Sequence, residues 1–562
     1  MKFPAGKTVF LYSLGFFLCA APSLAQVNNL PDSGRIEQQI DLPEQLEEDN
    51  SLEIPKPDGL TQPGQLSDQT FTLQSLSVEG STVYEIAELR PLYQEFIGQE
   101  ITLEELYRIA QKVTVKYRED GYILSLAIVP EQTVEDGNAT IQVVEGYIES
   151  VEFQDAPPKQ QAKIRSFLEK LKKSRPLNVK ALERYLLLAN DLAGVEVRSI
   201  LQKGSKLGAA KLLARVQHDS VDPFFELTNR GSAEVGNLRL QAGVIVNSPL
   251  GQGESFTFRT ATTPENFEEL ALGGASVQIP VGNDGLKLSF GGTYTEINPG
   301  ELLRLNDING RSVLAELGLN YPLIRSRSTN LSIGAGFDYA DTRNISDVPN
   351  PGFVLSQDRL AVLRLNLSGD KRDASGIFSG GLNLSQGVAG TTPGNATLPL
   401  SRAQGSAVFT KVNFNVSRLQ KLPANLVGSL QAKAQLTGDS LLVREQFGLG
   451  GATFGSAFNP DELLGDYGYG LRAELQRPFF YRGLGRSLTT QPYVFSDFGQ
   501  VFRHQPTALE NGTDTLSSAG FGVRQSFGEE LRLAMEVAFP LERSDEPVDY
   551  EPRFFFSLTG FF

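Results

Sequence analysis

From about residue 223 onward, apolar and polar residues alternate in segments of about 10 to 14 residues separated by turn-forming stretches. Leu238, Leu240, Ala242 and Val244 share one parity, as do Phe414 and Val416, and then Leu426, Gly428, Leu430 and Ala432. A period of two is the mark of a strand with one apolar and one polar face. Sixteen such strands are predicted, beginning near residues 224, 238, 254, 268, 285, 312, 329, 358, 375, 404, 424, 467, 488, 517, 530 and 552. From the fifth strand onward, connections of about 11 to 29 residues alternate with connections of about 2 to 7. A closed membrane barrel with long loops on one rim and tight turns on the other produces that alternation. A soluble propeller or sandwich has no reason to keep it. The last strand carries Phe554, Phe556, Leu558 and Phe562 on one parity, so it is expected to close the barrel and to serve as its assembly-targeting strand.

Upstream, the periodicity changes to mixed α/β. In residues 70–146, Phe71, Leu73, Leu76 and Val78 mark an opening strand that ends at Gly80. Thr102 and Glu105 form a capping-box pair at the start of a helix. Leu103, Leu106, Ala110, Val113 and Tyr117 give that helix one buried face, and Gly121 closes it. Strands at Tyr122–Val129 and Ala139–Val144 follow. Residues 147–220 repeat the β-α-α-β-β order, with Asn178 capping the second helix. The expected architecture is therefore mostly β: a 16-stranded antiparallel transmembrane β-barrel, residues 221–562, preceded by two α/β domains.

Residues 1–25 have a positive start at Lys2 and Lys7, an apolar run from Val9 to Ala21, and small residues before a break after Ala25. That predicts a secretory signal peptide cleaved at Ala25; the run is too short for a spanning helix. Cys19, the single cysteine, lies inside it, so no disulfide or thiol chemistry is expected beyond it. Residues 26–69 hold ten acidic residues, two basic residues and five prolines, too polar to bury a core. Within them, Ile36 and Ile40 would share a face of a helix over Asp32–Leu42; a disordered acidic spacer is the alternative. The formal charge of −15 argues against nucleic acid as a partner. Tryptophan is absent, leaving 16 Tyr and 35 Phe to supply any interfacial girdle.

No catalytic constellation emerges. His218 and His504 are the only histidines, and neither a G-x-S-x-G elbow nor a phosphate-binding G-x-x-x-x-G-K-[ST] motif occurs. No enzyme activity, metal site or cofactor is expected. The most unusual connection runs from Gly438 to Asp466. Its Gly450, Gly451, Phe454, Gly455, Ser456, Ala457 and Phe458 fit two placements, an exposed loop or one folded back into the lumen, where glycine permits close approach to the wall.

These features together resemble the two-partner secretion transporters of the haemolysin secretion/activation (ShlB/FhaC/HecB) type, in the superfamily of the BamA and TamA insertases. Leu30-Pro31-Asp32-Ser33-Gly34-Arg35 with Glu37-Gln38-Gln39 resembles the family's plug helix. Asp120-Gly121-Tyr122, Pro130-Glu131-Gln132 and Val144-Glu145-Gly146-Tyr147-Ile148 resemble its first POTRA domain, and Leu192-Ala193-Gly194-Val195 a turn of the second. Glu445-Gln446-Phe447, Gly450-Gly451 and Gly465-Asp466 frame what resembles its sixth outer loop. The resemblance implies an outer-membrane translocase with two periplasmic POTRA domains. Its implied partners are a large β-helical exoprotein held unfolded in the periplasm, outer-membrane lipid, and the barrel assembly machinery during biogenesis. One departure stands out. The family's loop arginine falls at Ser456, while its acidic partner on the wall matches Asp497. The expectation is that the loop is held less firmly or that Arg444 substitutes, and that Ser456→Arg slows loop motion or raises barrel stability. A general insertase and a passive pore are the competing readings; the plug-like segment weighs against the first and the two POTRA repeats against the second.

Overall fold

The computed structural model describes residues 31–40, 42–43, 70–300, 303–304, 307–348, 350–388, 398–483, 485–507, 510–544 and 549–562. The predicted signal peptide, with Cys19 and Ala25, and most of the acidic segment lie outside them. The chain from Val221 to Phe561 closes into one antiparallel barrel. It has sixteen strands, the twelfth interrupted between Tyr467–Gln476 and Phe479–Gly483, with both halves paired to Arg486–Phe502. Pro478 sits at the interruption and has no N–H to give the ladder. The ring closes through five residue pairs, from Ser557↔Thr228 to Phe561↔Phe224.

Alternation along each strand separates lipid from lumen. Leu317, Leu319, Leu363, Leu365, Leu430, Leu471, Val494, Phe521 and Phe554 are exposed on the outer wall. Ser312, Arg364, Ser385, Lys411, Gln435, Arg472, Glu474, Asp497 and Glu536 are buried on the inner one. Exposed Phe479, Phe480 and Tyr481 lie beside the tight-turn rim, where an interfacial aromatic belt belongs. Among the described residues, no helix is long and apolar enough to cross a membrane; here the strands cross it.

Four strand starts differ from the sequence expectation by four residues or more. The sixth, eighth and fourteenth begin earlier, at Ile308, Phe353 and Thr513, because ladder pairing continues past the outer rim where the apolar alternation fades. The tenth begins later, at Thr410. The alternation in Ser406–Phe409 comes instead from a loop whose Ala407 and Phe409 pack inside the barrel.

Ahead of the barrel sit two α/β units. In the first, strands Ser75–Glu79, Asn138–Val144 and Leu126–Ile128 pair in that order, covered by the helix Leu103–Glu119. Its capping box forms as the sequence requires: Thr102 Oγ1 accepts from the Glu105 N–H at 3.2 Å, and Glu105 Oε2 accepts from the Thr102 N–H at 2.9 Å. Leu106, Ile109, Ala110, Val113 and Tyr117 are its buried face. The second unit orders Tyr147–Gln154, Ala209–His218 and Val195–Lys203 beneath helices Pro158–Leu168 and Val179–Asn190.

The second unit docks on the barrel's tight turns through polar contacts. Arg325 makes two bonds to Asp191, at 2.9 and 2.7 Å. Arg184 donates to the carbonyls of Pro322 and Asp284, and Lys163 to those of Pro280 and Gly282. Lys170 bonds both Asp284 oxygens, at 3.0 and 2.9 Å. The Lys170 ammonium holds the Asp284 carboxyl below its usual range. A depressed carboxyl stabilises docking above the unfolded pKa, near ~4. That contribution is lost as pH falls through the folded value. Docking is therefore expected to loosen on acidification below about pH 4, and Asp284→Asn to remove that step. Proteolysis of the junction around residues 218–221 against pH reads both.

Candidate functional site

The lumen is filled by two segments that are not strands. The first is the helix Ser33–Gln38, capped by Asp32, whose carboxylate accepts from the Gly34 N–H at 3.0 Å and from Asn344 Nδ2 at 3.2 Å. The helix is shorter than the spacing predicted. It ends where Arg259 takes the Ile40 carbonyl at 2.6 Å. Ile36 and Ile40 still share a face and pack on Val235, Ala261, Leu272 and Ile297. A Cβ at Gly34 would lie 2.8 Å from Thr342 Oγ1, so only glycine lets this turn sit against the wall.

The second segment is the connection Gly438–Asp466, which folds inward. Strands Phe447–Leu449 and Leu463–Gly465 pair as a short hairpin. Its side chains sit over inward-facing glycines: a Cβ on Gly468, Gly470 or Gly499 would come within 2.6–2.7 Å of Phe447, Phe454 or Leu449. The loop also grips the helix through charge pairs of opposite sense. Asp461 accepts from Arg35 Nε at 3.0 Å and from Gln39 Nε2 at 2.7 Å. Arg444 donates to the Gly34 carbonyl at 3.1 Å and pairs with Glu37 at 3.4 Å.

At the tip, the backbone turns on Gly450 and Gly455, at φ +111° and +87°, conformations that suit glycine. Phe458 donates its N–H to the Gly455 carbonyl at 2.9 Å, closing a turn around Ser456 and Ala457. The N–H groups of Gly455 and Ser456 both point at Asp497, at 2.9 and 3.2 Å. Ser518 donates to the same carboxylate at 2.5 Å. Gly451 bonds the Phe458 carbonyl, and Phe454 and Phe458 are buried with Phe447, Tyr493 and Phe555.

Contrary to expectation, Arg444 does not substitute for a loop arginine: it serves the helix, at Gly34 and Glu37, and does not reach Asp497. The cation that meets Asp497 is Arg472, directly opposite it in the strand register. Arg472 lies 3.4 Å from Asp497, bonds the Ser456 hydroxyl, reaches Glu474 and Glu536, and stacks on Phe495 at 3.9 Å. The charge missing from Ser456 is thus supplied from the wall. Arg230 and Arg553 add bonds to the carbonyls of Ser456 and Ala457. Sequence reasoning missed Arg472, although it shares the inward parity of Gly468, Gly470, Glu474 and Gln476. Ser456→Arg is now expected to lower barrel stability, because it would press a second guanidinium against Arg472 and Arg230 in a buried site. Adding Arg472→Ser should recover most of the loss in a thermal-unfolding comparison.

The loop's base is equally well anchored. Asp466 accepts from Arg402 at 2.5 Å, from the Leu441 N–H at 2.8 Å, from Gln446 at 3.2 Å and from the His504 N–H at 2.7 Å. Both ions of the Arg402–Asp466 pair are fully buried. The two sets of predicted residues do not meet. Phe554, Phe556 and Leu558 line the last strand, Arg553–Phe561, with Phe554 exposed outward, and Phe562 follows with its N–H bonded to the Pro223 carbonyl at 3.0 Å.

On the tight-turn side, a cavity of about 1470 Å³ opens between the second α/β unit and the barrel, lined in part by Asp191, Arg325, Arg327, Asp370, Arg372 and Glu530. Comparison with known proteins decides the identity. The family described as haemolysin secretion/activation protein ShlB/FhaC/HecB matches residues 212–525, and the ShlB-type POTRA domain matches residues 71–146. The chain belongs to this family. It is an outer-membrane transporter of two-partner secretion, a system in which the transporter works with a secreted exoprotein partner. This transporter is 23% identical over 477 residues to the heme/hemopexin transporter protein HuxB of Haemophilus influenzae strain 86-028NP, covering 82% of each chain. It is 24% identical to the outer membrane transporter CdiB of Escherichia coli O6:K15:H31 strain 536, covering 80% of this chain and 76% of that one. The solved structure of CdiB from Escherichia coli superposes with a TM-score of 0.73 at 19% identity, covering 90% of this chain and 94% of that one.

Proposed function

We propose that the lumen is the export path and that the described structure is its resting, doubly closed state. The observation that carries this reading is how the two closures are held. The helix and the loop tip are secured by ion pairs and backbone bonds, contacts that an arriving chain can exchange one for another. A passive pore has no use for such a lock.

The exported partner is a large exoprotein, kept unfolded in the periplasm and folding outside into a β-helix. No nucleotide is needed, because folding outside opposes return, and the chain acts without catalysis. Residues 70–146 and 147–220 act as POTRA domains that receive the client. The strands Tyr147–Gln154 and Val195–Lys203 are the sheet's edges, and beyond the Val151 carbonyl held by Arg165 and the Val197 groups held by Asn190 they offer backbone to an extended segment, which is how a sheet edge adds a strand. The cavity beside Asp191 and Arg325 is the vestibule through which it passes. Gly450, Gly451, Phe454, Gly455, Ser456, Ala457 and Phe458, seated on Asp497, form the loop-side closure. Phe554, Phe556, Leu558 and Phe562 form the strand recognised by the barrel assembly machinery.

The test is the surface and extracellular proteome of a strain lacking this gene, against wild type. Loss of one or two large β-rich proteins, with other barrels at their normal levels, is the expected result. A broad fall in outer-membrane barrels would instead identify an assembly factor.

A further inference from the structure

The second barrel strand, Arg239–Asn247, turns Arg239 and Gln241 into the lumen, where only 7% and 5% of their surfaces are exposed. Among the described residues, Arg239 Nε and Gln241 Nε2 have no hydrogen-bond partner. The carboxylate that attracts Arg239, Asp461, is occupied by Arg35 and Gln39 of the plug segment. A buried guanidinium and a buried amide left open on one inner file are unusual, because such groups are ordinarily satisfied.

Register shows what stands beside Gln241. Gln241, Ala261, Leu272 and Thr295 stand in one row across the second to fifth strands. Ile36 and Ile40 cover the apolar middle of that row, Ala261 and Leu272. The donors and acceptors at its flanks stay unpaired, and Thr295 Oγ1 is a third such atom. The plug thus covers this wall by shape and apolar contact while leaving its polar groups unsatisfied. An occupant that supplied acceptors would fit it better.

We propose that Arg239 and Gln241, level with Thr228 at the outer end of the second strand, form a lumenal docking site near the exit of the path, taken by an extended segment of the exported chain bearing a carboxylate side chain. This rests on the reading of the lumen as the export path. Residues two apart on a strand repeat at about 6.8 Å, the same repeat as alternate residues of an extended client lying alongside. A guanidinium takes a carboxylate through paired bonds, and the amide two positions on takes the next acceptor. Exchange of plug for client then satisfies groups that the resting state leaves open, and so favours displacement of the plug.

The test uses the full-length chain carrying Gly34→Val, which displaces the plug, in a planar bilayer. A short flexible peptide rich in glutamate, or a matched one rich in lysine, is added on the α/β-domain side. The glutamate peptide is expected to block the current with dwell times that Arg239→Gln shortens about tenfold or more. Arg239→Lys, which keeps the charge but not the fork, should fall between, and dwell times of the lysine peptide should not change with either substitution. Glutamate-peptide dwell times that are the same with and without Arg239, in protein that runs as the folded form, would overturn the proposal. Failure of both peptides to block any variant would overturn the export-path reading itself.

Discussion

Replacing Asp497 by alanine is expected to free the tip of the sixth outer loop and to cause one of the largest single losses of stability in the barrel. The carboxylate receives two loop N–H groups, the Ser518 hydroxyl and the Arg472 guanidinium. All of these are buried, so alanine leaves the two loop N–H groups and the Ser518 hydroxyl without their acceptor, and leaves Arg472 with only Glu474 and Glu536 to balance its charge. Breaking a buried pair from one side costs about 3–5 kcal/mol. Asp497→Asn keeps one acceptor oxygen and should cost less. Removing Arg472 together with Asp497 should cost less than the two single losses combined, because no uncompensated charge remains. The temperature at which the folded, fast-migrating form is lost in detergent reports the order. A shift for Asp497→Ala no larger than that of a lipid-facing substitution would remove the carboxylate from this role.

The second large effect is expected at Gly34. A valine there has its Cβ 2.8 Å from Thr342 Oγ1 and 3.1 Å from the Arg444 guanidinium, with two further methyl groups to place. Overpacking of this kind costs about 1–3 kcal/mol, which shifts a two-state equilibrium roughly 5- to 150-fold. The strain bears on the resting state and not on the barrel, so it should appear as conductance. Wild-type protein is expected to open rarely in a planar bilayer and Gly34→Val to hold a sustained current, with unfolding temperatures close to each other. Equal conductance would place the helix outside the conduction path.

Much of this was legible in the residues because strand alternation and turn chemistry are local. The sixteen strands, the Thr102–Glu105 cap and the shared face of Ile36 and Ile40 all follow from spacing over a few positions. What spacing could not supply was register between distant strands. Arg472 meets Asp497 only because the interrupted twelfth strand pairs with the thirteenth at that offset. The helix is held by Asp461 and Arg444, more than 400 positions away in sequence. The fifth outer loop misled the pattern for a related reason. Ala407 and Phe409 alternate like a lipid-facing strand but are buried against Leu360, Val362, Leu441 and Leu442 inside the barrel. Alternation shows that a face is apolar without showing which side of the wall it lies on.

The most direct measurement is a reversible staple between plug and wall. Cys19 is the chain's only cysteine and falls in the predicted leader, so Gly34→Cys with Thr342→Cys would introduce a single pair, in which the bonded sulfur replaces the Thr342 Oγ1 that a Cβ at Gly34 otherwise meets at 2.8 Å. With the pair oxidised, export of the partner should stop while barrel abundance is unchanged, and reduction should restore it. Export continuing at the wild-type rate with the staple fully formed would contradict the account.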